Sequence, residues 1–293
     1  MSDPAEKTAV CELCPHHCHL KEGAVGFCRA RQNVGGKIIS LNYGKLTSAA
    51  LDPIEKKPLY HFHPGSRILS LGSFGCNLRC PFCQNYSISQ AGSQNVQGSV
   101  YFEDTQLPIE TVTPREIAAA AQRLEETSGN IGVAFTYNEP LVGYEFVLDT
   151  AKLLKEKNLA VVLVTNGQIE PEPWEKLLPY VDAVNIDLKG FTQSFYSWLG
   201  GRLETTKAAI RMAAAQHVHT EVTTLVIPGK NDSPAEMEQE AKWLAGISPD
   251  IPLHLSRYFP RYHVDIPMTP YPTLQKLAET ARKHLHFVHL GNV

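Results

Sequence analysis

From Arg67 onward, the chain alternates short apolar runs with longer segments in which apolar residues recur at helical spacing. The short runs are rich in Val, Ile and Leu, which is typical of buried strands. They predict strands at 68–72, 132–136, 160–165, 183–188, 218–227 and 253–258, with a short last strand at 288–290. The longer segments predict helices at 114–128, 140–155, 171–178, 203–215, 234–245 and 273–286.

Strands that alternate with helices in this way indicate βαβ units and a parallel sheet. About six such units predict an α/β fold, a partial (βα)6 parallel barrel of the TIM type, although a doubly wound sheet fits the same pattern. The chain then divides into a small Cys-rich metal-binding segment (1–35), a connector (36–66) and the barrel (67–293). Residues 90–112 lack a clear period and are predicted to be an insertion. In either fold, functional residues are expected at the C-terminal ends of the strands.

Composition and charge narrow the class of protein. The 293 residues carry a formal net charge of -3 and no dense Lys/Arg stripe, so a nucleic-acid partner is not expected. The apolar runs are far shorter than the roughly 20 residues of a membrane helix, so no membrane association is expected. The first residues do not have the basic and then apolar pattern of a signal peptide. We therefore expect a cytoplasmic protein.

The seven cysteines form two groups, and none lies after residue 83. A reducing cytosol disfavours disulfides, and tight clustering favours metal ligation. Cys76, Cys80 and Cys83 follow the first predicted strand of the barrel in one continuous loop. A [4Fe–4S] cluster normally takes four cysteines, so three leave one iron open for a small molecule. The alternative is a zinc knuckle that a His completes, but zinc motifs usually present two separate ligand pairs.

The N-terminal group offers a second set of metal ligands, Cys11, Cys14, Cys18 and Cys28. Four thiolates can close a structural zinc site, and they can equally hold a second [4Fe–4S] cluster. The spacing lacks the C-x2-C-x2-C run of bacterial ferredoxins, and zinc is the favoured interpretation. Three histidines could also replace one cysteine as a ligand: His16, His17 and His19.

The barrel triplet, with the aromatic Phe82 before its last Cys, resembles the signature of the radical S-adenosylmethionine (SAM) superfamily. The resemblance implies a [4Fe–4S] cluster whose open iron binds SAM. An electron from a donor such as ferredoxin or flavodoxin then cleaves SAM to methionine and a 5′-deoxyadenosyl radical, which abstracts hydrogen from a substrate. It further implies an oxygen-sensitive oxidoreductase.

The resemblance extends to the ends of the later strands. Tyr137, Asn138 and Glu139 stand where the family has Gly-Gly-Glu before a Pro, and Glu139 would hold the SAM amino group. The other implied SAM contacts are Asn166, Asp187, Lys189 and His254. Alternative interpretations are a helix-start carboxylate for Glu139, a mutual ion pair for Asp187 and Lys189, and an ordinary barrel-wall residue for His254.

Features outside the signature point to a subfamily, the radical SAM member of the AmmeMemoRadiSam system, which is related to the pyruvate formate-lyase activating enzymes. They are the N-terminal Cys-x2-Cys-Pro-His-His-Cys, the connector at 52–62, and the segments 83–85, 88–90 and 291–293. The resemblance leaves the substrate open between a glycine of a partner protein, another protein side chain and a small molecule. A different class of function, an electron-transfer or metal-sensing iron–sulfur protein, predicts a fully ligated cluster and no SAM binding.

Overall fold

A computed structural model describes residues 8–96, 99–103 and 105–293. The strands, in chain order, are β1 (Ala9–Val10), β2 (His19–Leu20), β3 (Arg31–Val34), β4 (Lys37–Ser40), β5 (Lys45–Leu46), β6 (Ser48–Pro53), β7 (Arg67–Gly72), β8 (Gly92–Val96), β9 (Ser99–Phe102), β10 (Thr105–Pro108), β11 (Glu110–Thr111), β12 (Asn130–Phe135), β13 (Ala160–Thr165), β14 (Ala183–Asp187), β15 (His219–Val226), β16 (Leu253–Arg257) and β17 (Val288–Gly291). The α-helices are α1 (Tyr86–Ser89), α2 (Pro114–Ser128), α3 (Tyr144–Glu156), α4 (Pro171–Leu177), α5 (Gln193–Leu199), α6 (Leu203–Ala215), α7 (Pro234–Ala245) and α8 (Tyr271–Ala281).

The main sheet has eight strands in the order β17-β16-β15-β14-β13-β12-β7-β6. Every pairing from β7 to β17 is parallel, and β6 joins the other edge antiparallel to β7. The helices that connect the parallel strands bury their apolar faces in one large core together with the sheet. The predicted α/β fold is confirmed, and the predicted strands and helices are present, some at the predicted bounds, such as α2 and β13, and others with shifted ends.

Local sequence explains where the elements start. The Thr113 hydroxyl accepts the amide of Glu116, whose carboxylate accepts the amide of Thr113, so a capping box fixes the first turn of α2. The single helix predicted over 140–155 is instead a 3₁₀ turn at Pro140–Gly143 followed by α3, because Gly143 interrupts the helix. The insertion at 90–112 contains an antiparallel three-stranded sheet, β8 to β10.

The connector does more than link two regions. Its strand β6 belongs to the main sheet, and residues 54–66 then enter the N-terminal end of the barrel. Ile54 and Leu59 are fully buried there against inward-facing residues of the strands, among them Val162 and Ala183. The Asn185 side-chain amide donates to the Pro58 carbonyl at 2.7 Å. The connector therefore fills the lower barrel, and the open volume lies at the C-terminal ends of the strands.

The helices of the described residues are all too short or too polar to cross a membrane.

Candidate active site

The cysteine triplet lies in the loop between β7 and α1, at the C-terminal end of the sheet. Polar groups surround its sulfurs: the Leu78 amide donates to Cys76 Sγ at 3.4 Å, and Ser89 Oγ lies 3.1 Å from Cys83 Sγ. Burial raises the pKa of the Cys80 thiol to about 12. A metal must therefore displace the proton of this thiol when it binds, which couples loading of the site to proton release.

A cavity of about 360 Å³ opens beside this loop, within the roughly 300–1,000 Å³ range of small-molecule sites. Its walls come from β13, β14, β15 and β16 and from the loops that follow β7 and β12, so the sheet curves around it. The cavity brings together ten of the predicted site residues: Cys76, Cys80, Cys83, Phe82, Tyr137, Asn138, Glu139, Asn166, Asp187 and Lys189.

Glu139 is buried at the start of the 3₁₀ turn that follows β12. Its carboxylate accepts the Leu141 amide at 2.9 Å, the Thr165 hydroxyl at 2.8 Å and the Asn166 amide at 2.8 Å. Burial outweighs these donors and raises the pKa of Glu139 to about 7. The carboxylate thus caps a turn, fixes the end of β13 and lines the cavity, where a cationic ligand would favour its ionised form.

Asp187 and Lys189 follow the inward face of β14 into the cavity and form an ion pair, with Oδ2 and Nζ 2.8 Å apart. Burial alone would lower the pKa of Lys189, but the neighbouring Asp187 raises it well above its ordinary value. The lysine is therefore a permanent cation. Together the two side chains present one charge of each sign to a ligand.

Asn138 and Asn166 join the strand ends to the cysteine loop. The Asn138 side chain donates to the Gly75 carbonyl at 3.0 Å. Asn166 Nδ2 donates to Asn77 Oδ1 at 2.9 Å and lies 3.6 Å from Cys76 Sγ. Both asparagines therefore hold the loop in place from the cavity side.

Tyr137 also lines the cavity, with its backbone in the left-handed region at φ 72°. Its hydroxyl donates to Asp52 Oδ2 at 2.6 Å, and Lys57 Nζ reaches the same oxygen at 2.8 Å. The Lys57 ammonium also lies 4.7 Å from the centre of the Tyr137 ring. Sequence reasoning missed Asp52 and Lys57 as neighbours of the site, because only the antiparallel pairing of β6 brings the connector here.

The structure places His254 away from this cavity. It is buried lower in the barrel, where Nε2 lies 2.6 Å from Glu221 Oε2 and its ring stacks on His289. Ser256, two residues later on the same face of β16, lines the cavity instead, and so does Thr223 of β15. The alternation of side chains along a strand predicts that His254 and Ser256 face the same side of β16. Ser256 comes later in the strand and so lies nearer its C-terminal end, and this was the available signal that Ser256 lines the cavity.

The four N-terminal cysteines gather around a short hairpin. The Cys11 amide donates to the Cys18 carbonyl at 3.0 Å, and the Phe27 amide donates to Cys18 Sγ at 3.5 Å. Burial raises the pKa of the Cys14 thiol to about 12 and that of Cys28 to about 11, and the other thiols of the group add to both shifts. Within the described ranges, no three His, Cys, Asp or Glu side chains are placed to hold one metal ion. In an iron–sulfur cluster each cysteine thiolate binds a different iron. The cysteine sulfurs around a cluster therefore lie further apart than those around a single metal ion.

The residues of the cavity fit a cluster with one open iron and SAM. The three thiols stand on one wall, and the Asp187–Lys189 pair and Glu139 supply partners for an amino group and a carboxylate. Apolar side chains complete the lining and suit a purine ring: Leu78, Phe82, Val164 and Leu225.

Comparisons with known proteins agree with this geometry. A model of the Radical SAM superfamily matches residues 71–241. An uncharacterized protein of Methanocaldococcus jannaschii is 39% identical over 286 residues, 97% of this chain and 81% of that protein. The pyruvate formate-lyase-activating enzyme of Clostridium pasteurianum is 28% identical over 131 residues, 44% of this chain and 48% of that enzyme. A radical SAM methyltransferase from Sphaerobacter thermophilus has a similar fold, with a TM-score of 0.56 at 18% identity over 78% of this chain and 67% of that one.

Proposed function

Because the chain belongs to the radical SAM superfamily, we propose that it cleaves SAM reductively at a cluster held by Cys76, Cys80 and Cys83, and that the radical abstracts hydrogen from a polypeptide. The observation that carries this proposal is the meeting of these three cysteines with the Asp187–Lys189 pair and Glu139 in one cavity. When bound, the cluster supplies an electron and SAM supplies the 5′-deoxyadenosyl radical. A ferredoxin or a flavodoxin is the proposed source of that electron.

The protein's own residues bind and orient SAM. Lys189, kept charged by Asp187, would pair with the SAM carboxylate, while Glu139 and Asp187 would accept hydrogen bonds from the SAM amino group. A cationic amino group would favour the ionised form of Glu139, so binding would release a proton from this carboxyl when the free site is protonated. Leu225 and Val164 line the barrel side of the cavity and would shield the ligand from water there.

A surface groove beside the cysteine loop supports a polypeptide substrate. It is lined by residues of α1, of β9 and of the loop after β16, and Tyr86 stacks on Tyr262 there with ring centres 4.6 Å apart. The amide of the next residue, His263, donates to the Pro81 carbonyl within the cysteine loop at 2.8 Å. An aromatic groove fixed to the cluster loop suits an extended peptide. The similarity to an activating enzyme of pyruvate formate-lyase favours a glycyl-radical enzyme as that substrate.

The test is an anaerobic assay for 5′-deoxyadenosine. The protein is reconstituted with iron and sulfide, reduced with dithionite and mixed with SAM, beside the variants Cys80→Ala and Glu204→Gln. Glu204 lies on the exposed face of α6, so its variant controls for handling. We expect product from the wild type and from Glu204→Gln and none from Cys80→Ala. No product from the wild type, together with no SAM-induced change in its EPR signal, would refute the proposal.

A further inference from the structure

We propose that Cys11, Cys14, Cys18 and Cys28 hold a second [4Fe–4S] cluster, which passes electrons to the cluster of Cys76, Cys80 and Cys83. The role as a relay rests on the proposed function of the barrel site. The presence of the second cluster does not. This assignment replaces the zinc site favoured by cysteine spacing alone, and contacts between the two groups of cysteines carry it.

The two sites meet through a hydrogen bond between ligands. The Cys76 amide donates to the Cys28 carbonyl at 3.2 Å. The path from the Cys28 sulfur to the Cys76 sulfur thus consists of two cysteine residues and one hydrogen bond. A redox-inert zinc ion would make no use of such a path, whereas a one-electron centre would.

Gly75 makes this approach of the two segments sterically feasible. Its φ is 90°, and a β-carbon at this position would lie 2.7 Å from the Cys28 carbonyl oxygen and 2.8 Å from Ala30 Cβ. The backbone of the N-terminal site is therefore pressed directly against the start of the cysteine loop, where any side chain other than hydrogen would force the two apart.

Further contacts keep this junction rigid. His16 Nε2 lies 2.9 Å from the Asn77 carbonyl, next to Cys76 in the chain. Arg79 donates to the Phe27 carbonyl, and its guanidinium lies 4.2 Å from the centre of the Phe27 ring. Arg29 donates to the carbonyl of Gln90 on the other side of the loop. The junction therefore joins both loops at several points, as a fixed electron path needs.

The surroundings of the N-terminal thiols suit a cluster that accepts an electron. Cys11, Cys14 and Cys28 are buried, and Cys18 accepts a hydrogen bond from the Phe27 amide. Amide donors to sulfur and shielding from solvent are two of the factors that set a cluster's potential. Cys18 is the most exposed of the four thiols and marks the side from which a donor protein would deliver its electron.

The electron balance is simple. A reduced ferredoxin or flavodoxin gives one electron to the N-terminal cluster, and the donor is oxidised by one electron. The N-terminal cluster passes this electron to the barrel cluster and returns to its oxidised state. The barrel cluster transfers the electron to SAM, whose S–C5′ bond is cleaved reductively. One electron is therefore consumed for each SAM cleaved.

Metal content tests whether the second cluster exists. Iron, sulfide and zinc are measured after anaerobic reconstitution in the wild type, in Cys11→Ala/Cys18→Ala, and in Cys76→Ala/Cys80→Ala/Cys83→Ala. Val10→Ala is the matched control, because Val10 is exposed beside Cys11 and its side chain cannot bind a metal. We expect about eight irons in the wild type and in the control and about four in each cysteine variant. A triple variant that holds one zinc and no iron, or no metal at all, would overturn the proposal.

EPR and electron donors test the relay. When both clusters are reduced, we expect the wild-type spectrum to be broadened by spin coupling beyond the sum of the spectra of the two cysteine variants. We also measure the rate of 5′-deoxyadenosine formation with reduced flavodoxin and with dithionite. The ratio of these two rates should fall at least tenfold in Cys11→Ala/Cys18→Ala and stay constant in Val10→Ala. A wild-type spectrum equal to that sum, or an unchanged ratio in the double variant, would refute the relay.

The failures of the two proposals are distinguishable. If the wild type makes no 5′-deoxyadenosine with dithionite, the proposed function fails, but the iron content of the triple variant still tests the second cluster. If the double variant does not fold, the iron content of the triple variant still tests the second cluster, and the relay is tested by whether the wild-type EPR signal broadens as reduction proceeds from one cluster to both.

Discussion

Replacing Glu221 with Gln should destabilise the protein, because this carboxylate holds the connector inside the barrel. Its oxygens accept the amides of Tyr60 at 3.1 Å and His61 at 2.8 Å, and they pair with Nε2 of His219 at 2.9 Å and of His254 at 2.6 Å. The side chain is fully buried, so the solvent does not screen these contacts. A glutamine amide would turn a donor toward one of the backbone donors and leave it unpaired.

The size of the effect follows from the pKa. Burial alone would raise the pKa of Glu221, but the hydrogen bonds from His219, His254 and the two connector amides lower it from 4.5 to about 2. This drop corresponds to about 3 kcal/mol in favour of the ionised folded state. For a chain of this size, that loss lowers the melting temperature by about 5–10 °C.

The assay is thermal unfolding followed by circular dichroism, at pH 7 and at several lower pH values. Because the folded pKa is depressed, the stabilisation is present above about pH 4.5 and lost as the pH falls toward 2. The difference in melting temperature between the wild type and Glu221→Gln should therefore be largest at pH 7 and become smaller as the pH falls. The control Glu204→Gln removes one ion pair, whose carboxylate is mostly exposed, and should stay within about 0.5 kcal/mol of the wild type. A Glu221→Gln variant as stable as this control at pH 7 would refute the reasoning.

Three further substitutions test the site. Asp187→Asn leaves the Lys189 ammonium unpaired and should raise the Kd for SAM at least tenfold, which corresponds to about 1.4 kcal/mol. The Kd is measured by anaerobic calorimetry, with Glu204→Gln as the control. An unchanged Kd would show that this ion pair is not part of the SAM site. Gly75→Ala should lower the free energy of unfolding by about 1–3 kcal/mol, because its φ of 90° and the contact with Cys28 exclude a side chain, and a neutral effect would contradict that packing. Glu139→Gln should remove a dependence of SAM affinity on a group with a pKa of about 7, seen as a Kd that falls as pH rises in the wild type alone.

Much of the barrel was predictable because its strands are short apolar runs and its helices carry clear start signals. The capping residue Thr113 and Pro114 set the start of α2 where sequence predicts it. The connector was harder: β6 contains polar positions and ends at Pro53, so it has no strong strand period, and its pairing with β7 is a tertiary contact. The partition into segments 1–35, 36–66 and 67–293 stays a prediction, but the main sheet already begins at Ser48.

Prediction of the site from the sequence has a similar limit. Motif spacing located the cysteine triplet, and the strand period put Asp187 and Lys189 side by side. Periodicity does not report how deep along a barrel a residue lies, so it did not separate His254 at the lower level from Ser256 at the cavity. Lys57, held by Asp52, lines the cavity from the connector, whose sequence carries no sign that it approaches the site.

The docking of the connector also sets an order for folding during synthesis. Tyr60 and His61 bind Glu221, about 160 residues later in the chain, and His61 Nε2 lies 2.8 Å from His289 Nε2, which is 228 residues later. These partners leave the ribosome long after the connector does, and the apolar partners of Ile54 and Leu59 extend to Ala183, so the connector is synthesised well before its contacts in the barrel. A nascent chain that stalls before β15 therefore lacks Glu221, so docking of Tyr60 and His61 follows the synthesis of most of the barrel.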